Sequence, residues 1–141
     1  MKTWKILRTI IVMAVAVLSF NSCGDDPDGK WSPMIWKAEM PAETTDGVYT
    51  ASADGAEFSF SCENYSSPWI GEAWFNGEFF PPLEANGYRT VSTSWAKAEI
   101  SGNKLKVVFE ANETTERRQF YLTVTAGDIF YTFRFMQFEN Q

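Results

Sequence analysis

The chain has 141 residues, with 12 lysines and arginines against 18 aspartates and glutamates, and it contains no histidine. A formal net charge of −6 repels nucleic-acid phosphates, so no nucleic-acid partner is expected. Without histidine the usual general base and a common metal ligand are missing, and the acidic residues are spread evenly along the chain. We therefore expect a protein that is not an enzyme and that holds neither a metal nor another cofactor.

Residues 1–22 have the order of a secretory signal peptide. Lys2, Lys5 and Arg8 form a positively charged start, and the uncharged apolar run 10–18 follows. That run is about half of the roughly 20 residues that a membrane-spanning helix needs. A stop-transfer helix is therefore not expected.

Cys23 stands directly after this segment and follows a small residue, Ser22. The stretch resembles a bacterial lipoprotein lipobox of the looser type found in Bacteroidetes, with Phe20 where such boxes usually carry leucine. The resemblance implies that Cys23 is diacylated and becomes the new N-terminus. Two or more acyl chains form a stable anchor, so we expect the membrane to be a partner of the protein through this lipid anchor. The alternative is an ordinary secreted protein with an incidental cysteine.

Residues 23–45 are expected to contain the lipidated cysteine, an acidic tether and an N-terminal segment. Residues 24–29 carry three aspartates, a proline and two glycines, which cannot build a core. Acidic residues at this place resemble the surface-export signal of Bacteroidetes lipoproteins, which implies a lipid-anchored protein on the outer face of the outer membrane. A plain linker in the periplasm is the alternative. Trp31 and Trp36 are expected either to pin this segment to the domain or to form a stripe for a partner.

Residues 46–141 are predicted to form one all-β domain, an antiparallel β-sandwich. Four stretches alternate between apolar and polar residues: AEFSFSCEN, NKLKVVFEAN, RQFYLTVTAGD and IFYTFRFMQFE. Their inward side chains are expected to be Phe58, Phe60, Cys62, Leu105, Val107, Phe109, Phe120, Leu122, Val124, Tyr131, Phe133 and Phe135. Glycine- and asparagine-containing turns separate the stretches, and no amphipathic helix is present. With Cys23 acylated, Cys62 has no disulfide partner and is expected to be a small buried side chain.

The order of seven residues between positions 46 and 138 resembles that of BACON domains, an immunoglobulin-like module common in Bacteroidetes. These residues are Gly55, Asn64, Trp69, Ile70, Asn112, Arg118 and Gln137. The resemblance implies an immunoglobulin-like β-sandwich with a carbohydrate- or mucin-binding role, or with the role of a spacer. From the residues alone, Asn112 is expected to start a turn, Gln137 to tie the last strand to a loop, and Arg118 to pair with an acidic loop residue. The aromatic insert at 71–100 departs from the family pattern.

That insert supplies the candidate ligand-binding residues. Flat aromatic faces stack on the apolar C–H faces of sugars, and neighbouring polar groups bond their hydroxyls. The candidates are Trp74, Phe79, Phe80, Tyr88 and Arg89, with Trp74 the best single one because it precedes an Asn-Gly turn signal. Trp95 is expected in the core. The alternative is that all these rings fill the core or the loops.

The predicted function is therefore that of a non-catalytic surface lipoprotein whose accessory module binds a glycan, such as mucin or another polysaccharide, or a protein partner. A structural, assembly or spacer lipoprotein without a small-molecule ligand is the alternative. Exposure of Trp74, Phe80 and Tyr88 separates the two, because the glycan hypothesis loses its platform if all three are buried.

Overall fold

The computed structural model describes residues 31–141, so the signal segment, Cys23 and the acidic tether lie outside the described residues. The described part is all β, apart from a 3-10 turn at Glu84–Asn86. Within it, no helix has the length and apolar character needed to cross a membrane.

Eleven strands make up the described part of the chain. They are β1 (Trp36–Ala38), β2 (Thr44–Thr45), β3 (Val48–Ala51), β4 (Ala56–Cys62), β5 (Trp69–Phe75), β6 (Glu78–Phe80), β7 (Thr90–Ser92), β8 (Ala96–Ser101), β9 (Lys104–Phe109), β10 (Arg118–Thr125) and β11 (Phe130–Gln137). All four strands predicted from alternation are present, and glycine-containing turns at 102–103 and 126–129 connect β8 to β9 and β10 to β11.

The strands form two sheets. The first has the order β1-β4-β9-β8-β7, and the second has the order β2-β3-β11-β10-β5-β6. The predicted sandwich is confirmed, with one departure from the antiparallel expectation, since β3 pairs with β11 in parallel. The departure arises because the N-terminal part of the chain changes sheets: β1 pairs with β4 in the first sheet, and β3 then pairs with β11 in the second.

Two strands of the sandwich, β1 and β2, precede residue 46, where the sequence places the start of the domain. Trp36 holds β1 in place, because its ring meets the Phe133 ring edge-on at 5.2 Å between centroids. The pinning that was one alternative for Trp36 is therefore observed. Such short strands contain no alternation that would reveal them in the sequence.

The core contains the side chains that alternation points inward. Eleven of the twelve predicted inward residues are buried, and Tyr131 is the exception. Tyr131 lies on the half of β11 that β3 does not reach, since β3 pairs only with residues 134–137. Phe75 and Phe120 stack across the second sheet with their centroids 4.2 Å apart. Cys62 is buried and free, as expected.

Buried amide side chains hold the loops at the end of the sandwich where β11 stops. Asn112 Oδ1 accepts hydrogen bonds from the backbone N–H and the hydroxyl of Thr114, which confirms its turn-starting role. Gln137 Nε2 donates to the carbonyls of Ser52 and Glu110, which confirms that it ties the last strand to its neighbours. The expectation for Arg118 is wrong: its guanidinium lies 5.1 Å above the Trp95 ring instead of pairing with a carboxylate.

Candidate functional site: an exposed aromatic row

The outer faces of the two sheets differ in chemistry. On the first sheet, lysines and glutamates alternate with serines and form ion pairs: Lys97–Glu99 at 3.4 Å, Lys104–Glu39 at 3.4 Å and Lys106–Glu57 at 3.3 Å. These pairs are solvent-exposed, so each contributes little to stability, roughly 0–1 kcal/mol. This face is an ordinary solvated surface.

The outer face of the second sheet carries three exposed rings side by side. Phe79 lies opposite Trp74 between β6 and β5, and Trp74 lies opposite Tyr121 between β5 and β10. Tyr121 in turn lies opposite Arg134 on β11. Residues directly opposite in antiparallel strands point to the same face, so these four side chains form one line across four strands. We call Phe79, Trp74, Tyr121 and Arg134 the aromatic row.

The rings of the row remain open to solvent. Phe79 is 47% exposed, Trp74 39% and Tyr121 38%. The centroids of Trp74 and Phe79 lie 5.5 Å apart with the rings tilted by 60°, and the Arg134 guanidinium lies 5.9 Å from the centre of the Tyr121 ring. A row of large apolar side chains on an exposed face is typical of an interaction surface.

An Asn-Gly turn fixes the β5–β6 hairpin and thereby the row. Asn76 and Gly77 both have positive φ, 51° and 78°, which is the conformation that tight hairpins require. Asn76 also locks the turn to β10: its backbone N–H donates to the Gln119 carbonyl, and its Oδ1 accepts from the Gln119 N–H, both at 2.8 Å. The relative position of β5 and β10, on which the row depends, is set by these bonds.

Polar groups flank the row on both sides. Toward one end of the strands lie Glu72, Thr123 and Thr132, and the two threonine hydroxyls are 2.9 Å apart. Toward the other end, a shallow depression of about 320 Å³ adjoins Tyr121. It is lined by Thr45, Asp46, Val48, Thr50, Arg117, Gln119, Tyr121, Phe135 and Met136. Hydroxyl, amide and charged groups therefore lie within reach of a molecule placed on the rings.

The structure brings together only two of the five residues predicted as ligand-binding. Trp74 and Phe79 are neighbours in the aromatic row. Phe80 lies on the opposite face of β6, half-buried, with its ring edge-on to Phe75 at 5.2 Å. Adjacent strand residues must face opposite sides, so Phe79 and Phe80 cannot share a surface within β6.

Tyr88 and Arg89 lie apart from the row. The Tyr88 carbonyl accepts from the Ile70 N–H, which places it four residues along β5 from Trp74, about 13 Å away at about 3.3 Å per residue. Tyr88 is exposed, but Arg89 is tied to the loop between β4 and β5 by a bond from Nη2 to the Ser67 hydroxyl. These two residues hold the connection between β6 and β7.

Sequence reasoning missed Tyr121 and Arg134. The signal was present, because Tyr121 is the one large aromatic residue at an outward position of β10, between Gln119 and Thr123. Outward positions of a half-exposed strand are usually polar, so an aromatic ring at such a position indicates an interaction surface. The alternation of β11 puts Arg134 on its outer face, but the position of Arg134 beside Tyr121 depends on register.

The two described residues whose pKa is shifted, Tyr49 and Glu139, lie outside the aromatic row. Burial, followed by the nearby Tyr131, raises the pKa of Tyr49. A hydrogen bond from its own backbone, followed by one from Arg117, lowers the pKa of the Glu139 carboxyl. Residues 31–141 contain no group of three or more histidine, cysteine, aspartate or glutamate side chains placed to hold a metal ion.

The topology defines the class of the protein. A sheet containing β1, β4, β9 and β8 faces a sheet in which β3, β11, β10, β5 and β6 are neighbours, and this is the arrangement of an immunoglobulin-like β-sandwich. No protein-family model matches the chain, and no curated protein matches it.

Comparison of the chain with solved structures identifies its family. The NMR structure of a protein from Bacteroides thetaiotaomicron matches with 34% sequence identity and a TM-score of 0.70, over 83% of this chain and 96% of that one. The chain belongs to the same family as this Bacteroides protein. Titin domain M7 also matches, with 10% identity and a TM-score of 0.45, over 79% of this chain and all of that domain.

Proposed function

We propose that this protein is a non-catalytic, lipid-anchored protein of the outer-membrane surface that binds glycan chains through the aromatic row. The observation that carries the proposal is the line of three exposed rings on one face of a sandwich whose other face carries paired charges. Aromatic rings present large, rigid apolar surfaces, and the flanking hydroxyl and amide groups can bond sugar hydroxyls.

The described chain begins at the end of the sandwich remote from Trp74. Residues before β1 meet the loop between β4 and β5, where Asn64 Nδ2 donates to the Pro33 carbonyl and Tyr65 donates to the Ser32 carbonyl. Trp74 lies at the other end of β5, beside the Asn-Gly turn.

The BACON-like order of residues supports a glycan-binding module of that type. Its marker residues have structural roles here: Asn112 and Gln137 bond backbone groups, and Gly55 allows a close approach of two strands. The ligand surface is therefore carried by the insert that departs from the family pattern, together with β10 and β11.

A glycan array probed with the full chain tests the proposal, with the protein purified from membranes in a detergent that carries no sugar. We expect Trp74→Ala to weaken binding about 30-fold, since removal of a central aromatic contact typically costs about 2 kcal/mol or more. Phe130→Ala is the matched control, because Phe130 is exposed on the same sheet but lies outside the row.

Equal binding by wild type and Trp74→Ala would overturn the assignment of the row. Absence of binding to every glycan would favour the structural or spacer lipoprotein instead. Incorporation of radiolabelled palmitate into wild type but not into Cys23→Ser tests the anchor separately.

A further inference from the structure

We infer that the glycan bound by the aromatic row is anionic, and that Arg134 binds its carboxylate or sulfate group. The inference rests on the proposed function and goes beyond it by naming the chemical class of the ligand. Its starting point is that the row of rings ends in a cation.

Arg134 occupies an interior position of the exposed face. It lies on β11, with Tyr121 of β10 on one side and Val48 of β3 on the other. Its guanidinium is exposed and lies over the Tyr121 ring, at 5.9 Å from the ring centre. Cation–π attraction to the Tyr121 ring holds the planar guanidinium near the row. Less side-chain conformational entropy is therefore lost when a ligand binds.

Arg134 differs from the cations that the protein uses structurally. Lys97, Lys104 and Lys106 of the charged face each pair with a glutamate, and Arg117 pairs with Glu139 at 2.9 Å. Among the described residues, no carboxylate forms an ion pair with Arg134. Its donors, apart from the contact with the ring, point to solvent and are available to an incoming anion.

The acidic groups nearest to this surface are Glu72 and Asp46. Glu72 lies two strands and two residues from Arg134, about 12 Å between Cα atoms by strand geometry. Asp46 lies in the turn that precedes β3, and it lines the depression beside Tyr121. Neither Glu72 nor Asp46 forms an ion pair with Arg134.

The geometry suits a sugar that carries an acidic group. A sugar ring beside Tyr121 places its substituents over the neighbouring strand β11, where the guanidinium lies. Arginine bonds carboxylate and sulfate oxygens through two parallel N–H groups, and such charge-assisted bonds are about twice as strong as neutral ones.

Two polymers and two variants test the inference. Polygalacturonate and the neutral polymer obtained by reducing its carboxyl groups have the same linkage and differ in charge, and a mixed array adds sulfated, sialylated and neutral glycans. Arg134→Gln removes the cation from the row. Lys97→Gln removes the same charge from the opposite face and serves as the control, since Lys97 lies on β8 in the other sheet.

We expect full-length wild type to bind anionic members in preference to neutral ones. Arg134→Gln should lose about 10- to 100-fold in affinity for the anionic members, the range for a charged hydrogen-bonded pair, with little change for neutral ones. Lys97→Gln should behave as wild type. Circular dichroism melts establish that both variants are folded.

The outcomes separate this inference from the proposed function. Equal binding of neutral and anionic glycans, with Arg134→Gln like wild type but Trp74→Ala impaired, would overturn the anionic ligand and leave the glycan platform intact. Binding to no glycan would overturn both.

Discussion

Gly55 offers a sharp test of the close approach between the start of β4 and the end of β9 in the first sheet. It stands in the turn before β4 with φ +109°, and a Cβ added there would lie 2.8 Å from the carbonyl oxygen of Phe109. The obstructing atom belongs to the backbone of β9, which is held between β4 and β8 by ladder hydrogen bonds. A clash with this atom cannot be relieved by rotating a side chain.

We expect Gly55→Ala to destabilise the protein by about 3 kcal/mol. The positive φ accounts for roughly 1–2 kcal/mol, and the remainder comes from displacing the β4–β9 pairing. Gly102→Ala is the matched control, because Gly102 also has positive φ, 60°, but has no atom within 4 Å of its added Cβ. It should lose only about 1 kcal/mol. Both variants change the unfolded chain in the same way, so their difference reports the close approach together with the less favourable φ of Gly55.

Urea unfolding followed by tryptophan fluorescence, together with thermal melts, measures the difference. A gap of about 2 kcal/mol corresponds to about 10 °C in Tm for a domain of this size. Equal losses for the two variants would refute the reasoning, because they would show that the β9 backbone yields without cost. A change in urea m-value for Gly55→Ala alone would instead indicate an altered native or unfolded state.

Two further predictions concern the end of the sandwich where β11 stops. Asn112→Ala should cost about 3 kcal/mol in urea unfolding, because Asn112 is buried and bonds the Glu116 and Phe138 carbonyls as well as Thr114; a loss below about 1 kcal/mol would contradict this. The lowered pKa of Glu139 means that its stabilising contribution is present above the unfolded pKa of about 4.3 and is lost as the pH falls through the folded pKa. The stability advantage of wild type over Glu139→Gln should therefore shrink in acid, and a pH-independent difference would contradict the assignment.

The alternation of apolar and polar residues within single strands was sufficient to predict the main strands of the sandwich. Strands β4, β9, β10 and β11 alternate strictly, and side-chain period two is a property of each strand by itself. Their inward residues are therefore readable from the chain. The parallel pairing of β3 with β11 depends on a change of sheet between β1 and β3, and no local pattern encodes a pairing between segments about 85 residues apart.

The aromatic row was only half predictable for the same reason. Trp74 and Phe79 meet across a hairpin whose Asn-Gly turn is visible in the sequence, so their proximity is local. Tyr121 and Arg134 join them through the register of β10, which is set by bonds between residues 43 positions apart. Phe80 was misplaced as a surface candidate because the two prolines after it indicated a loop, whereas a short strand carries the pair and turns Phe80 inward.

The parallel pairing of β3 with β11 also bears on mechanics. The described chain enters the sandwich beside the loop that follows β4, and β11 ends at the opposite end. Tension between these two ends draws β3 and β11 in opposite directions along their common axis, so their hydrogen bonds are loaded together in shear. Peeling the strands apart from one end would break these hydrogen bonds one at a time. Shear loads all of them, so they break together. In a domain held at one end and pulled at the other, the β3–β11 hydrogen bonds would therefore resist the pull together, at the place where the chain changes sheets.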